Sequence, residues 1–402
     1  MSAQDNKFRL DFLKLQGFME SSGRNSRLIR AAVRASKARK DFKNKFKQFT
    51  WGLKAKAPQF GPQLRALVHV RGGIGDVIMS RIFVAALRNA VPSAHITYAH
   101  EHIGVAQMVY GGDKLVDEII GRKYILKHYD VVISGCYTFN YDYYNLERIK
   151  AVAPEFETIL NKGLAAQKVL EPVVINTPYL DGAMARWCVS MGMDRFGSMG
   201  LSTGLDVSQA NPSPITLKEE NFEILKSVGL EGKKYITIHD GMNTDTVMMG
   251  RPSRMWPREH WREFVKMFKA EFPDILVVQI GGGNSVKYDF VDVSLVNQTK
   301  VADLPYILAK SMLHVDSESG IVHIAFNVGT KAVVMFGPTT IEYWGYKTNI
   351  NIKSEVCGDC VWSKKTWMQT CPLELGDKDC MSSILPQTTF NKVKEYLGGQ
   401  NA

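Results

Sequence analysis

The sequence predicts two tandem, doubly wound α/β domains, and three observations carry that reading. From residue 67 onward, short apolar runs alternate with helical patterns, as parallel βαβ units require. A polar stretch at 205–216, containing Pro212 and Pro214, interrupts the alternation and marks a boundary. A second series of the same kind follows, and 402 residues suffice for two separate cores.

In the first series, residues 67–70 read as a strand, 77–90 as a helix and 95–98 as the next strand, with further strands at 116–120 and 131–134. In the second, 235–239, 275–280, 312–315 and 332–336 read as strands, and 258–271, 303–309 and 320–328 as helices. The expected organisation is a basic helical arm at 1–60, a first domain at 61–215, a second at 216–345, and a cysteine finger with a closing helix at 346–402. Ligands of doubly wound sheets bind outside the carboxyl ends of the strands, so the loops after strands are where chemistry is sought.

Composition narrows the function classes. The longest apolar runs, such as 332–336, have five or six residues, whereas a membrane-spanning helix needs about 18 to 20. The polar opening Met1–Lys7 lacks the apolar region of an export signal, which predicts a cytoplasmic protein. The net charge of +10 is local: residues 1–60 carry 15 Lys and Arg against four acids, a balance of +11, and the remainder sums to −1.

Residues 22–51 read as a helix with apolar positions at Leu28, Ile29, Phe42 and Phe46 among many basic ones. Two readings stand for it. Residues 24–48 lie peripherally on the inner face of the membrane, drawn to anionic lipid at about 1 kcal/mol per basic residue. Otherwise the helix is solvated and packs its aromatics on its own domain. Nucleic-acid binding is not expected, because no recognised module accompanies the charge.

Four loops carry candidate chemistry. Arg71-Gly72-Gly73-Ile74-Gly75-Asp76 follows the first strand, where Gly73 and Gly75 let backbone approach a ligand and Asp76 is either a helix N-cap or a general base. It lacks the third glycine of the dinucleotide fingerprint and the Lys-Ser/Thr of a P-loop. Arg254-Met255-Trp256-Pro257 precedes a helix; its guanidinium either clamps a pyrophosphate or pairs with Glu259 on the surface. Gly281-Gly282-Gly283 must hug a ligand or neighbouring backbone. In Asp316-Ser317-Glu318-Ser319-Gly320-Ile321-Val322-His323, Ser319 and Gly320 open a helix able to hold an anion, Glu318 suits sugar hydroxyls, and His323 is a ligand contact or a buried structural histidine. The five aromatics within 137–144 are acceptor contacts or a packed aromatic core.

Four of six cysteines fall within 24 residues, as Cys357-x2-Cys360, then Cys371 and Cys380. Thiolates gathered this closely suit a tetrahedral iron or zinc ion, and a cytoplasmic setting disfavours the competing disulfides. Free thiols are the alternative. Cys136 and Cys188 stand alone and read as buried apolar residues.

Together the glycine loop ending in Asp76, the Arg254-x-Trp256-Pro257 element, the Gly281-Gly282 turn, Glu318-Ser319-Gly320-x-x-His323, and Phe336-Gly337-Pro338-Thr339 followed by Trp344-Gly345 resemble bacterial ADP-heptose heptosyltransferases, in order, from about residue 66 to 395. The resemblance implies the GT-B architecture, two Rossmann-like domains with the acceptor on the first and the nucleotide sugar mainly on the second. It implies an inverting transfer of heptose from ADP-heptose, most often onto lipopolysaccharide inner core, with Asp76 as base.

The chain departs from that pattern at three places. Arg254 stands where a lysine is usual, Glu318 where an aspartate is, and Ser285 falls near the place of an acid. The cysteine pattern also resembles the subgroup that glycosylates autotransporter serines, whose four-cysteine finger binds iron and whose chains assemble into large rings. That likeness implies a protein acceptor and a homo-oligomer, in place of a glycan or lipid-linked acceptor.

The chemistry fits on physical grounds. Displacing a diphosphate from an anomeric carbon needs a base for the incoming hydroxyl and fixed positive charge or N–H dipoles for the phosphates. Asp76, and Arg254 with the Gly320 helix start, are expected to supply these from opposite domains. No Asp-x-Asp pair ends a strand, so no catalytic divalent ion is expected. The competing class is a non-catalytic metal-finger protein that binds lipid or nucleic acid through its arm.

Overall fold

Strand β1 (Arg65–Val70) is buried on both faces, which is why its sequence reads as a nearly continuous apolar run. The computed structural model describes residues 61–136, 138–170, 180–212, 214–240, 252–283, 285–361, 363, 367–376 and 379–400, without the side chains of 180–184 and 400. The predicted arm helix at 22–51, with its membrane or solvated role, lies outside the described residues. By contact the described chain divides into two units, residues 61–181 with 195–213, and 182–194 with 214–400.

In the first unit β1 is followed by helix α1 (Ile74–Ala90), β2 (His95–Ala99), α2 (Ile103–Tyr110), β3 (Glu118–Ile120), β4 (Val131–Gly135) and β5 (Phe139–Tyr144). The sheet order is β3-β2-β1-β4-β5, parallel except for β5, which runs antiparallel beside β4 at the edge. At 139 and 141 the aromatic stretch is core: the Phe139 ring stacks on Phe83 at 4.0 Å, and the buried Tyr141 donates to the Thr203 carbonyl at 2.7 Å. Tyr144 is exposed. Helices α3 (Leu146–Val152), α4 (Pro154–Leu170), α5 (Leu180–Ser190) and α6 (Arg195–Ser198) complete the segment before the boundary, and most of α5 groups with the second unit.

The second unit contains α7 (Glu223–Ser227), β6 (Tyr235–Ile238), α8 (Arg258–Glu271), β7 (Leu276–Gln279), β8 (Val293–Ser294), α9 (Leu304–Ala309), β9 (His314–Ser317), α10 (Gly320–Asn327), β10 (Ala332–Phe336), α11 (Ile341–Trp344) and β11 (Ile350–Lys353), then α12 (Cys380–Ser383) and α13 (Pro386–Gln400). Its six strands are all parallel, in the order β11-β10-β9-β6-β7-β8. Counted along the unit, that is the 3-2-1-4-5-6 order of a doubly wound dinucleotide-binding sheet. Helix α8 buries Trp261, Phe264, Val265 and Phe268 at helical spacing.

From the segment read in the sequence as a finger and closing helix, Met381, Ile384, Val393 and Leu397 pack in one cluster with Val315, Val333 and Met335. Among the described residues no helix is long and apolar enough to cross a membrane.

Both sheets reverse their strand order at one place, between β1 and β4 in the first and between β6 and β9 in the second. Loops leaving adjacent strands there turn to opposite sides and leave a crevice at the carboxyl ends. Asp76 with its glycines follows β1 at the first point, and Arg254, Glu318, Ser319, Gly320 and His323 lie after β6 and β9 at the second.

Candidate active site

At the first switch point, Gly73 is the N-cap of α1 and Gly75 lies in its first turn. Asp76 is the third residue of that helix and not its N-cap: its Oδ2 reaches back to accept from the Gly73 N–H at 3.0 Å. Gly72 has φ +125°, and a Cβ there would sit 2.2 Å from Asp76 Oδ2, so the loop requires glycine to admit the carboxylate. A Cβ on Gly73 would meet nothing within 4 Å, which leaves open space beside the turn. The other Asp76 oxygen, Oδ1, accepts from Arg195 Nη2 at 2.9 Å and from Cys136 Sγ at 3.2 Å.

Two of these partners come from residues the sequence reading did not place in the site. Cys136, expected as a solitary buried apolar residue, is half-buried, follows β4 and touches Asp76. Arg195 is 1% exposed, and its Nη2 also donates to the Cys136 carbonyl at 2.9 Å. No local pattern announces it, since 119 residues separate it from Asp76. Cys188 is buried, as its apolar reading expects.

At the second switch point, Arg254 does not pair with Glu259. Its Nη2 binds Glu318, to Oε2 at 2.6 Å and to the backbone carbonyl, while Glu259 pairs with Arg262. The two side chains are 19% and 9% exposed, so the pair is mostly withdrawn from water. Trp256 holds this loop: it is buried against Trp261 and donates from Nε1 to the Ile384 carbonyl at 2.7 Å. Ser319 caps α10, accepting from the Ile321 N–H at 3.1 Å, and donates to Asp316 Oδ2 at 2.5 Å. Gly320 opens the helix and His323 lies one turn in, buried, its Nδ1 2.7 Å from the Tyr346 hydroxyl and its Nε2 3.9 Å from Glu318. Gly282 sits in the turn after β7, accepting from Ser285 N at 3.1 Å.

Beneath these groups lies a buried polar chain. His239 Nδ1 is 3.0 Å from Asp316 Oδ2, His314 Nε2 is 3.3 Å from the same oxygen, and Asp240 Oδ1 lies 3.5 Å from His239 Nε2. Burial disfavours a charged His239, yet the Asp316 carboxylate, its hydrogen bond and Asp240 leave that ring raised above the ordinary histidine value. Burial acts against the charge of Asp316 as well, but His239 and His314 hold it below the usual carboxylate value. Burial raises Asp240, which accepts from Ser285 Oγ at 3.0 Å and Val286 N at 3.2 Å. Asp240 thereby ties the end of β6 to the loop after β7.

The cysteines gather at the ends of β10 and α12. The hydrogen bond between Cys380 and Cys357 pulls Cys357 below the ordinary thiol value; the same bond, with burial, pushes Cys380 above it. Cys360 packs in one small cluster with Cys357, Cys371, Leu373 and Leu375. Gly337 makes room: a Cβ there would lie 2.7 Å from Cys380 Sγ and 2.6 Å from Met381 Sδ. Among the described residues no group of three or more His, Cys, Asp or Glu is arranged to hold a metal ion.

Residues 205–375 match a family model described as Glycosyltransferase family 9 (heptosyltransferase). A curated relative, lipopolysaccharide heptosyltransferase 1 of Campylobacter coli, is 26% identical over 223 residues, covering 50% of this chain and only 60% of the relative's length. Among solved structures, a glycosyl transferase family 9 protein from Veillonella parvula is 17% identical with a TM-score of 0.53, covering 84% of this chain and 97% of that one. The structure of TibC from enterotoxigenic E. coli, a bacterial iron-containing dodecameric glycosyltransferase, is 10% identical with a TM-score of 0.53, covering 84% and 81%. At such identities the structural likeness establishes the fold, two parallel-sheet α/β domains of the GT-B class.

Proposed function

We propose that this chain, whose residues 205–375 match the glycosyltransferase family 9 (heptosyltransferase) model, is an inverting glycosyltransferase that moves heptose from ADP-heptose to a hydroxyl of lipopolysaccharide core or another glycan. The observation that carries the reading is that the matched residues include the whole strand-end site of the second sheet, with Arg254, Glu318, Ser319, Gly320 and His323.

In the reaction the acceptor oxygen attacks the anomeric carbon from the face opposite the diphosphate. The bond from that carbon to the β-phosphate oxygen breaks, ADP leaves with the bonding electrons, and the acceptor proton passes to Asp76. Arg254 and the N–H groups opening α10 neutralise the leaving phosphates. Arg254 arrives with Nη2 bound to Glu318, so the diphosphate takes its remaining donors or displaces that carboxylate. Gly73, Gly75 and Gly282 give the donor close access to backbone, and Glu318 with His323 present acceptors and donors to its hydroxyls.

Two measurements test the reading. In a thermal-shift screen of ADP-, UDP-, GDP- and CMP-sugars, ADP-heptose is expected to stabilise the chain most; equal shifts for all four, or none, refute the donor. Asp76→Asn is expected to lower kcat by about 10²- to 10⁴-fold, leaving a measurable residual rate, while ADP affinity stays within about twofold, as for a group acting only in the transition state. Full transfer by this variant rules Asp76 out as base.

Transfer to serine of an autotransporter protein is the second reading, favoured by the cysteines. TibC is iron-containing, and here Cys357 meets Cys380 and clusters with Cys360 and Cys371. The four are not arranged around a common metal position in this structure; on their donor chemistry they are the residues that would hold an iron or zinc ion, which would supply a structural cross-link. Elemental analysis of the purified chain is expected to find about one iron or zinc per chain, lost in Cys360→Ser; absence of metal from wild type leaves four free thiols.

A further inference from the structure

We propose that Arg195 is a positioning residue, one that fixes which oxygen of Asp76 receives the acceptor's proton; the proposal rests on the reading of Asp76 as base. A carboxylate oxygen offers about two lone-pair sites. Oδ1 of Asp76 accepts from Arg195 Nη2 at 2.9 Å and Cys136 Sγ at 3.2 Å, and both sites are filled. Oδ2 accepts only from the Gly73 N–H at 3.0 Å among the described residues, so one site remains on it. The hydroxyl proton therefore goes to Oδ2, on the glycine-loop side, and Arg195 keeps the carboxylate from rotating Oδ1 into that place.

Burial separates this role from substrate contact. The Arg195 side chain is 1% exposed while Asp76 is 25% exposed, so the arginine reaches the reaction only through the carboxylate. The same Nη2 donates to the Cys136 carbonyl at 2.9 Å, which ties the loop after β4 to the first turn of α1 across the switch point. A planar guanidinium with its donors in fixed directions suits such a brace better than the flexible point charge of lysine.

The test uses the full chain, with ADP-heptose as donor and heptose-free lipopolysaccharide as acceptor, and follows ADP release. Arg195→Met is expected to lower kcat about tenfold or more, in the range that misplacing a reacting group costs, and to leave the donor KM within about twofold. Arg195→Lys, which keeps the charge, is expected to recover part of the rate and keeps the test informative if the methionine variant fails to fold. In an Asp76→Asn background, Arg195→Met is expected to cause no further loss, because the two act as one unit.

An equal fold-loss in both backgrounds overturns the proposal and leaves Arg195 a structural residue. So does a raised donor KM with kcat unchanged. If Asp76→Asn is severely slowed while Arg195→Met turns over normally, the positioning role alone falls. If Asp76→Asn is fully active, the base assignment fails and takes the positioning role with it.

Discussion

Asp76 shows how a single side chain answers to two demands. It closes the α1 N-terminus through Gly73 and balances the charge of a nearly inaccessible Arg195. Truncating it does more than remove a base. Breaking a buried ion pair by deleting one partner costs about 3 to 5 kcal/mol, and the partial exposure of Asp76 puts this case near or below the lower end. Asp76→Ala is therefore expected to lower stability by about 2 to 3 kcal/mol in urea denaturation, and Asp76→Asn, which keeps an oxygen for Arg195, by clearly less. Equal, negligible losses in both variants would show that Arg195 does not depend on this carboxylate. Loss of transfer in the alanine variant alone thus cannot separate chemistry from folding, and the asparagine variant can.

Elements of the second unit are braced by its C-terminal segment. The Trp256 indole is buried between α8 and the residues before α13, and its N–H is satisfied by Ile384. Trp256→Ala opens a cavity and frees a buried carbonyl, with an expected loss of about 3 to 5 kcal/mol by urea unfolding of the whole chain. Because Arg254 lies two residues away, the same variant is expected to raise the ADP-heptose KM; unchanged stability and KM would show that the loop is held by other contacts. Parallel strands were the most legible elements, since burial on both faces writes them as apolar runs. Strand β5 alternates apolar and polar residues from Phe139 to Asp142, as an edge strand with one buried face does, but so short a run is no stronger a signal than the aromatic cluster it carries. The two-residue β8 is too short to have a period.

For the molecule as a whole, pH acts through groups locked in one protonation state. Burial, then the charges of Arg71 and His100, bring His69 down from 6.5 to about 4, and its Nδ1 lies 2.8 Å from the Tyr124 hydroxyl. Between those two values the unfolded chain binds a proton that the folded one does not, so stability falls as pH drops from 6.5 toward 4. The melting temperature is expected to decline across that window, and His69→Gln to decline less steeply. Parallel curves for the two proteins would remove His69 from the acid response.

The amino-acid order alone settled the alternation of strand and helix, the two-sheet plan, the glycine turns that follow strands and the crowding of cysteines near the C-terminus. All of these are local: a period, a glycine turn or a cysteine spacing is written within a few dozen neighbouring residues. Only the folded chain decided that Asp76 is held by Arg195 and Cys136, that Arg254 is bound to Glu318, and that Met381, Ile384, Val393 and Leu397 pack into the core of the second sheet. Those partnerships join residues from 60 to 128 positions apart through strand order, and side-chain reach across a sheet edge leaves no pattern in a sequence window.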